Sequence, residues 1–144
     1  MDRLVCHQTD DERELKQAFK VRKLVFIREQ GISEHEEWDG LDGVAVQFVA
    51  EIDGKIIGTA RLRFPEPDCA KIERMAVLKV FRRQGVGRQI LNTIEEYLRQ
   101  RQLPLAILHA QWTAIPFYQS CGYVGVGKPF CEAEIKHLKM QKEL

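Results

Sequence analysis

Arg82-Arg83-Gln84-Gly85-Val86-Gly87 lies between an apolar run at residues 72–80 and a strongly helical segment. A strand, a tight glycine turn and a helix start together make an anion cradle. The first turn of a helix leaves backbone N–H groups without intrahelical partners, and the helix dipole adds partial positive charge there. Gly85 and Gly87 let the main chain turn sharply and approach a ligand with no Cβ in the way, and Arg82, Arg83 and Arg88 add charge. A pyrophosphate suits such a site. The motif lacks the Gly-Lys-Ser/Thr ending of nucleotide triphosphatase loops. The third glycine of a dinucleotide fingerprint would fall at Ile90, and the motif lies mid-chain after several strands. Both of those readings become minor alternatives.

Other reactive side chains carry less. Cys6, Cys69, Cys121 and Cys131 form no C-x-x-C pair or dense framework, so reduced thiols are expected. Cys121 as an acyl-carrying nucleophile would need a base that no sequence pattern supplies, and packing is its favoured role. No metal site is expected. His35-Glu36-Glu37 is not H-E-x-x-H, and the four histidines have no ligand spacing.

Composition bounds the partners. A chain of 144 residues, 44% hydrophobic and 30% charged, is long enough to bury a core as one domain, residues 1–144. The formal net charge of +1, with Lys and Arg spread along the chain, provides no field for nucleic acid. Met1-Asp2-Arg3-Leu4 leads into no signal-like segment, and no run approaches bilayer-spanning length. No membrane association and a cytoplasmic location are the resulting expectations.

The elements that must hold the glycine turn follow from periodicity and punctuation. Thr9 and Glu12 fit a capping box ahead of an amphipathic helix from about residue 10 to 28, with Leu15, Ala18, Phe19, Arg22, Val25 and Phe26 at helical spacing. Glycines and acidic residues mark residues 31–43 as a loop. Residues 44–52 and 55–63 are β-prone and flank Asp53-Gly54, a strong hairpin signal. Residues 64–68 contain two prolines and break the pattern, and residues 70–80 resume it as a strand. Ile90, Leu91, Ile94, Tyr97 and Leu98 make a helical stripe from Val86 to before Pro104. Residues 105–110 read as a strand, 113–121 as a short helix stopped by Gly122, and 123–126 and 135–141 as final strands. The strand, helix and strand over residues 72–110 imply a parallel crossover within a mostly antiparallel sheet.

Two ordered motifs carry a resemblance that covers nearly the whole chain. Arg82-Arg83-Gln84-Gly85-Val86-Gly87 resembles the Arg/Gln-x-x-Gly-x-Gly/Ala signature of the GNAT superfamily of N-acetyltransferases. Pro116-Phe117-Tyr118-Gln119-Ser120-Cys121-Gly122-Tyr123 resembles that superfamily's Phe-Tyr-x-x-x-Gly-Phe/Tyr motif. Arg22-x-x-Val25-Phe26-x-x-Glu29-Gln30, His109-Ala110-Gln111 and His137-Leu138-Lys139-Met140 are similar to the small bacterial ElaA/YjcF-type branch. The resemblance implies a single α/β (α+β) domain, with a mixed, mostly antiparallel sheet, a central parallel splay and flanking helices. Acetyl-CoA is the implied cosubstrate, held by Met75, Ala76, Val77, Arg82, Arg83, Gln84, Gly85, Val86, Gly87, Arg88, Gln111, Ala114 and Phe117. Gln111 stands where many relatives carry asparagine. A backbone N–H of the strand at residues 75–77 would polarise the thioester carbonyl.

Acyl transfer to an amine also needs a proton for the departing thiolate and a neutral nucleophile. Tyr118 matches the family tyrosine near the coenzyme sulfur and is the implied general acid, with core packing as the alternative. Strand alternation places Glu73 on one face with Met75 and Val77, which makes it the first choice of base. An ion pair is its equal alternative. His137, His109 or an ordered water chain is also open for that role, and Glu132 or Glu134 for binding a cationic acceptor.

The acceptor, a small-molecule or peptide amine, is not written in the sequence. Glu34, Glu36, Glu37, Asp39 and Asp42 offer a field for a cation, with Trp38 as a wall, although a solvated loop is the favoured reading. Arg22 and Glu29 are a further pair that would shape this pocket. Two other functions stay open: an acyl-homoserine-lactone-synthase-like acyltransferase, on Arg22, Phe26, Glu29 and Gln30, and a non-catalytic acetyl-CoA sensor. A homodimer is also left open.

Overall fold

The structure is a computed structural model that describes residues 3–144. Its chain order is β1 (Leu4–Thr9), α1 (Glu12–Arg22), α2 (Glu34–Glu37), β2 (Val46–Ile52), β3 (Lys55–Glu66), β4 (Cys69–Val77), α3 (Val86–Gln100), β5 (Leu105–Gln111), α4 (Ile115–Ser120), β6 (Val124–Glu132) and β7 (Ile135–Glu143). The seven strands form one sheet in the order β1-β2-β3-β4-β5-β7-β6. Only β4 and β5 are parallel. The fold is the expected α/β architecture. No helix among the described residues is long and apolar enough to cross a membrane.

Local chemistry explains where the elements depart from the expected pattern. β1 carries no strand signal in the sequence, because three apolar residues followed by three polar ones give no alternation until β2 supplies a partner. The helix starts two residues later than the capping box predicted, since Asp11 is its N-cap and accepts from the Glu14 N–H at 3.0 Å. Beyond Arg22 it winds wider, as a π-helix over Lys23–Glu29. β3 runs through Pro65 to Glu66, where the ladder with β4 is irregular and a missing N–H is tolerated. β6 continues to Glu132, well past the expected end at residue 126, because it pairs with β7 again across an irregularity after Val126.

Two apolar cores flank the sheet. On one face Ile90, Leu91, Ile94 and Leu98 of α3 pack on Phe48, Leu62, Ile72, Leu108 and Met140. On the other, Ala18 and Val21 of α1, with Val25 and Phe26, cover Val49, Ile56 and Ala76. The stripe on α3 matches its 3.6-residue period, and its burial anchors the helix whose first turn heads the glycine loop.

Two features of β4 shape the functional region. Its pairing with β5 ends at Ile72 with Leu108, so the parallel strands part beyond those residues. A bulge follows immediately: Glu73 pairs with Arg61 and Ala76 with Thr59, so Arg74 and Met75 together face the single residue Ala60. Arg74 takes the left-handed conformation, at φ +57°. The extra residue reverses the alternation. Ile72 therefore packs with α3 and Ala76 with α1. The expectation that Glu73 shares a face with Met75 and Val77 is corrected accordingly. Met75 and Val77 pack against the α3 core, while Glu73 projects with Arg61 and Arg63 toward the opposite side.

Candidate active site

A cavity of about 1160 Å³ opens where β4 and β5 part. Residues from both sides of the sheet line it, from Phe26, Trp38 and Glu73 to Gly85, Phe117 and Tyr118. Of the residues singled out in the sequence, Met75, Ala76, Val77, Arg82, Arg83, Gly85, Val86, Gly87, Gln111 and Ala114 also line it. Gln84 and Arg88 do not. Gln84 instead donates to the Val80 carbonyl, and Arg88 to the Ser120 carbonyl and hydroxyl, which ties α3 to α4.

The glycine end is built from main chain. Gly85 is the N-cap of α3 at φ +83°, a conformation that favours glycine. No side chain caps the helix there, so the first-turn N–H groups remain available to an anion. A Cβ on Gly87 would lie 2.9 Å from the Phe117 ring, so only glycine lets α3 and α4 approach this closely. Arg82 donates to the Val77 carbonyl at 2.8 Å and holds both oxygens of Glu29 at 2.7 Å. It thus ties the glycine loop to the end of the first helix. The expected pairing of Arg22 with Glu29 is corrected here, since Glu29 belongs to Arg82. Gln111 spans the opening of the strands and donates to Gln30 at 2.8 Å.

Two neighbouring tyrosines have different fates. Tyr123 is buried and donates to the Glu95 carboxylate at 2.8 Å. Tyr118 is 8% exposed, stands edge-on to Phe117 and Tyr123, and lines the cavity. Among the described residues its hydroxyl has no hydrogen-bond partner. Burial, reinforced by Cys121, pushes its phenol well above the ordinary tyrosine range, so it stays protonated.

On the far side of the sheet the site is ionic. Glu73 accepts from Arg61 at 3.0 Å and from Arg63 at 2.6 and 2.9 Å, and Lys71 lies 3.1 Å away. Burial raises the Glu73 pKa, but these three cations outweigh it and hold the carboxyl at about 2. Such a group is fully ionised near neutrality and a weak proton acceptor. The ion-pair reading describes this geometry.

The acidic loop divides: Glu34 and Glu36 stay exposed, as a solvated loop requires, while Glu37, Asp39 and Asp42 are spent on arginines. Arg22, 0% exposed, bonds Glu37 at 2.7 Å and Asp42 at 2.6 Å, while Arg61 bonds Asp39 at 2.6 Å. Arg74 reaches the Glu36 and Glu37 carbonyls and Asp39. Burial raises the Glu37 carboxyl, whereas the Arg61 hydrogen bond drives Asp39 far below its usual range. Trp38 does cover a cation, but it is the Arg22 guanidinium, 4.9 Å from the ring centroid. Arg61, Arg63, Lys71 and Arg74 were missed in the sequence. Their signal was a cross-strand pattern: Arg61 and Arg63 alternate on β3 opposite Lys71 and Glu73 on β4.

The β6–β7 hairpin adds a third group. His109 Nδ1 lies 3.0 Å from Glu132 Oε1, and His137 Nδ1 donates to the Ile135 carbonyl at 2.7 Å. Both rings pack on Phe130, His137 stacked and His109 edge-on. His109, Glu132 and His137 line the cavity, and Glu134 does not. Away from the cavity, tertiary structure gathers His7, Glu14 and Glu51 with ligand atoms within 4.8 Å of one another, a grouping no sequence spacing suggested. Glu14 there already takes the His7 ring and the Thr9 hydroxyl.

Comparison with known proteins agrees with this arrangement. The acetyltransferase (GNAT) domain matches residues 16–144. The N-acetyltransferase YjcF of Bacillus subtilis is 38% identical over 134 residues, covering 92% of this chain and 95% of its own. A Lactobacillus plantarum crystal structure superposes with a TM-score of 0.91 at 29% identity, covering 98% of both chains. A GNAT family acetyltransferase from Elizabethkingia anophelis, solved with acetyl-CoA bound, shares the fold at a TM-score of 0.74 and 16% identity, covering 100% of both chains. With its parted parallel strands, glycine-headed α3 and cavity-facing Tyr118, the chain belongs to the GNAT family and is an N-acetyltransferase.

Proposed function

We propose that the protein moves the acetyl group of acetyl-CoA directly to an amine of a small molecule or peptide. The observation that carries this reading is the uncommitted Tyr118 hydroxyl in a cavity whose other wall is the N-terminus of α3. In this proposal the N–H groups of Val86 and Gly87 hold the pyrophosphate and Arg83 adds charge at the rim. The pantetheine arm lies along Met75, Ala76 and Val77, where β4 has left β5 and its main chain is open to a new partner. Gln111, Ala114 and Phe117 line its other side.

A backbone N–H in that stretch of β4 polarises the thioester carbonyl, and Tyr118 protonates the departing sulfur. The burial that keeps the phenol protonated also disfavours a bare thiolate, so the two groups are matched. Glu73 serves as a fixed charge that orders Arg61, Arg63 and Lys71. Four free cysteines support a cytoplasmic place of action. The test is thiol release from acetyl-CoA over a panel of amines, with acyl-carrier-protein thioesters as the second donor. Amine-dependent release from acetyl-CoA is expected. Turnover only with the carrier-protein thioester identifies an acyltransferase of the homoserine-lactone type, and acetyl-CoA binding without turnover identifies a sensor.

A further inference from the structure

We infer that Glu132 and His137 form the seat of the acceptor nitrogen, Glu132 holding it as an ammonium and His137 Nε2 taking its proton. This rests on the acetyl-transfer reading above. Glu132 Oε2 and His137 Nε2 lie 4.0 Å apart at the cavity wall, and among the described residues neither atom has a donor. A nitrogen about 2.9 Å from both atoms would subtend an angle of about 90° between them, within the range of two N–H bonds of one ammonium group.

The surrounding contacts fix the role of each member. The Ile135 carbonyl is an acceptor only, so at 2.7 Å it places the single proton of a neutral His137 ring on Nδ1. Nε2 is left with its lone pair toward Glu132. Phe130 stacked on the ring at 5.9 Å holds its plane. Glu132 spends Oε1 on His109, which keeps Oε2 turned toward His137. The hydrogen bond from His109 comes first among the causes that hold Glu132 below its usual range, outweighing the cost of burial, so the seat is anionic at neutral pH. Titratable and charged groups around the seat are Glu132 of β6, His109 of β5, which bonds Glu132, and Lys71 of β4, which lines the same cavity. Lys136, next along β7, instead sits over the Trp112 ring at 3.8 Å.

This geometry selects a chemical class. An ammonium with at least two N–H bonds can bridge the two acceptors, so primary and unhindered secondary amines fit and tertiary amines do not. A neutral hydroxyl gains nothing from the Glu132 charge. His137 Nε2 takes one ammonium proton, and the freed lone pair forms the C–N bond to the thioester carbonyl. The C–S bond breaks as the oxyanion collapses, and sulfur takes the Tyr118 proton. The remaining extra proton on nitrogen restores the phenol, and the imidazolium proton leaves to solvent.

The test pairs His137→Asn with Glu132→Gln. An asparagine amide can still donate to the Ile135 carbonyl, so the hairpin keeps its tie while Nε2 is lost. His137→Asn should lower kcat by roughly a hundred- to ten-thousand-fold and remove the acidic limb of the pH–rate profile. Glu132→Gln should raise the amine KM at least about tenfold, with a smaller change in kcat. Both should bind acetyl-CoA in calorimetry as the native chain does. In parallel, 15N NMR of the histidine rings should show His137 as the Nδ1–H tautomer. Its Nε2 signal should move on addition of n-butylamine in the presence of CoA, and not in Glu132→Gln. A native kcat and pH profile in His137→Asn, or an unchanged amine KM in Glu132→Gln, overturns the seat. Should the native chain bind acetyl-CoA yet acetylate no amine, the transfer reading fails by itself. The seat then stands or falls on the Glu132-dependent shift of Nε2.

Discussion

The two ends of the cavity are built on opposite principles. At the glycine end a contiguous stretch, residues 75–87, supplies most of the wall, and its working groups are main-chain N–H donors and glycines chosen for what they lack. At the far end Arg22, Glu37, Asp39, Asp42, Arg61, Glu73 and Arg74 arrive from four separate regions of the chain and hold one another by charge. A main-chain site tolerates side-chain change except where a Cβ or a charge intrudes. An ionic site fails when any partner is withdrawn, because each buried charge depends on the others.

Tyr118 lines the same cavity beside Phe117, and its loss should have the largest effect. Tyr118→Phe is expected to lower turnover by roughly ten- to ten-thousand-fold, the scale of a lost general acid, with acetyl-CoA affinity nearly unchanged in calorimetry. Native turnover on an identified acceptor would return this residue to packing.

Arg61→Met attacks the ionic end directly. Arg61 is 1% exposed and pairs with Asp39, Asp42 and Glu73, so its removal takes a cation from each of three carboxylates and leaves them to Arg74, Arg22, Arg63 and Lys71. Urea unfolding should show a loss of about 3–5 kcal/mol. A loss below about 1 kcal/mol would mean that the network is far better hydrated than its burial indicates.

Glu73 sharpens the same point through pH. Its folded pKa, about 2, lies below the ordinary 4.5, so its contribution is full above the ordinary value and disappears as pH falls toward 2. The displacement corresponds to about 3 kcal/mol, an order-of-magnitude figure. Glu73→Gln should therefore flatten the acid side of the stability profile between these two values. The acidic limb of the pH–rate profile should keep its shape in this variant. Loss of that limb would restore Glu73 as the base.

The smallest expected effect is at the glycine end. Gly85→Asp places a carboxylate at the N-cap of α3, where the pyrophosphate is proposed to sit, and should weaken acetyl-CoA by at least about tenfold, or about 1.4 kcal/mol. At φ +83° any side chain strains the backbone, so the melting temperature is measured beside the affinity to separate lost folding from lost binding. Equal affinities would remove the cradle from the coenzyme site.

Much of the fold was legible because its signals are local. Asp53-Gly54 marked the β2–β3 turn, the apolar stripe marked α3, and the glycine motif marked the join between β4 and α3. β1 was illegible because a short edge strand without apolar alternation becomes a strand only through its neighbour. Glu73 was aimed from ideal alternation, and a single bulge at Arg74 reversed that alternation. The acidic loop was visible as charge, yet its partners Arg22, Arg61 and Arg74 lie at sequence separations of 15 to 38 residues.

By itself, then, the order of residues determined the crossover, the glycine-headed helix and the tyrosine beside it, since helix, turn and cradle depend on dihedral preferences and main-chain donors within a few residues. Only the tertiary structure decided which charges are spent. Arg22, Arg61 and Glu73 are committed to one another, while the Tyr118 hydroxyl, Glu132 Oε2 and His137 Nε2 remain open to the cavity. Whether a polar atom is free is a matter of which distant group reaches it, and folding brings those groups together from separations no local pattern encodes.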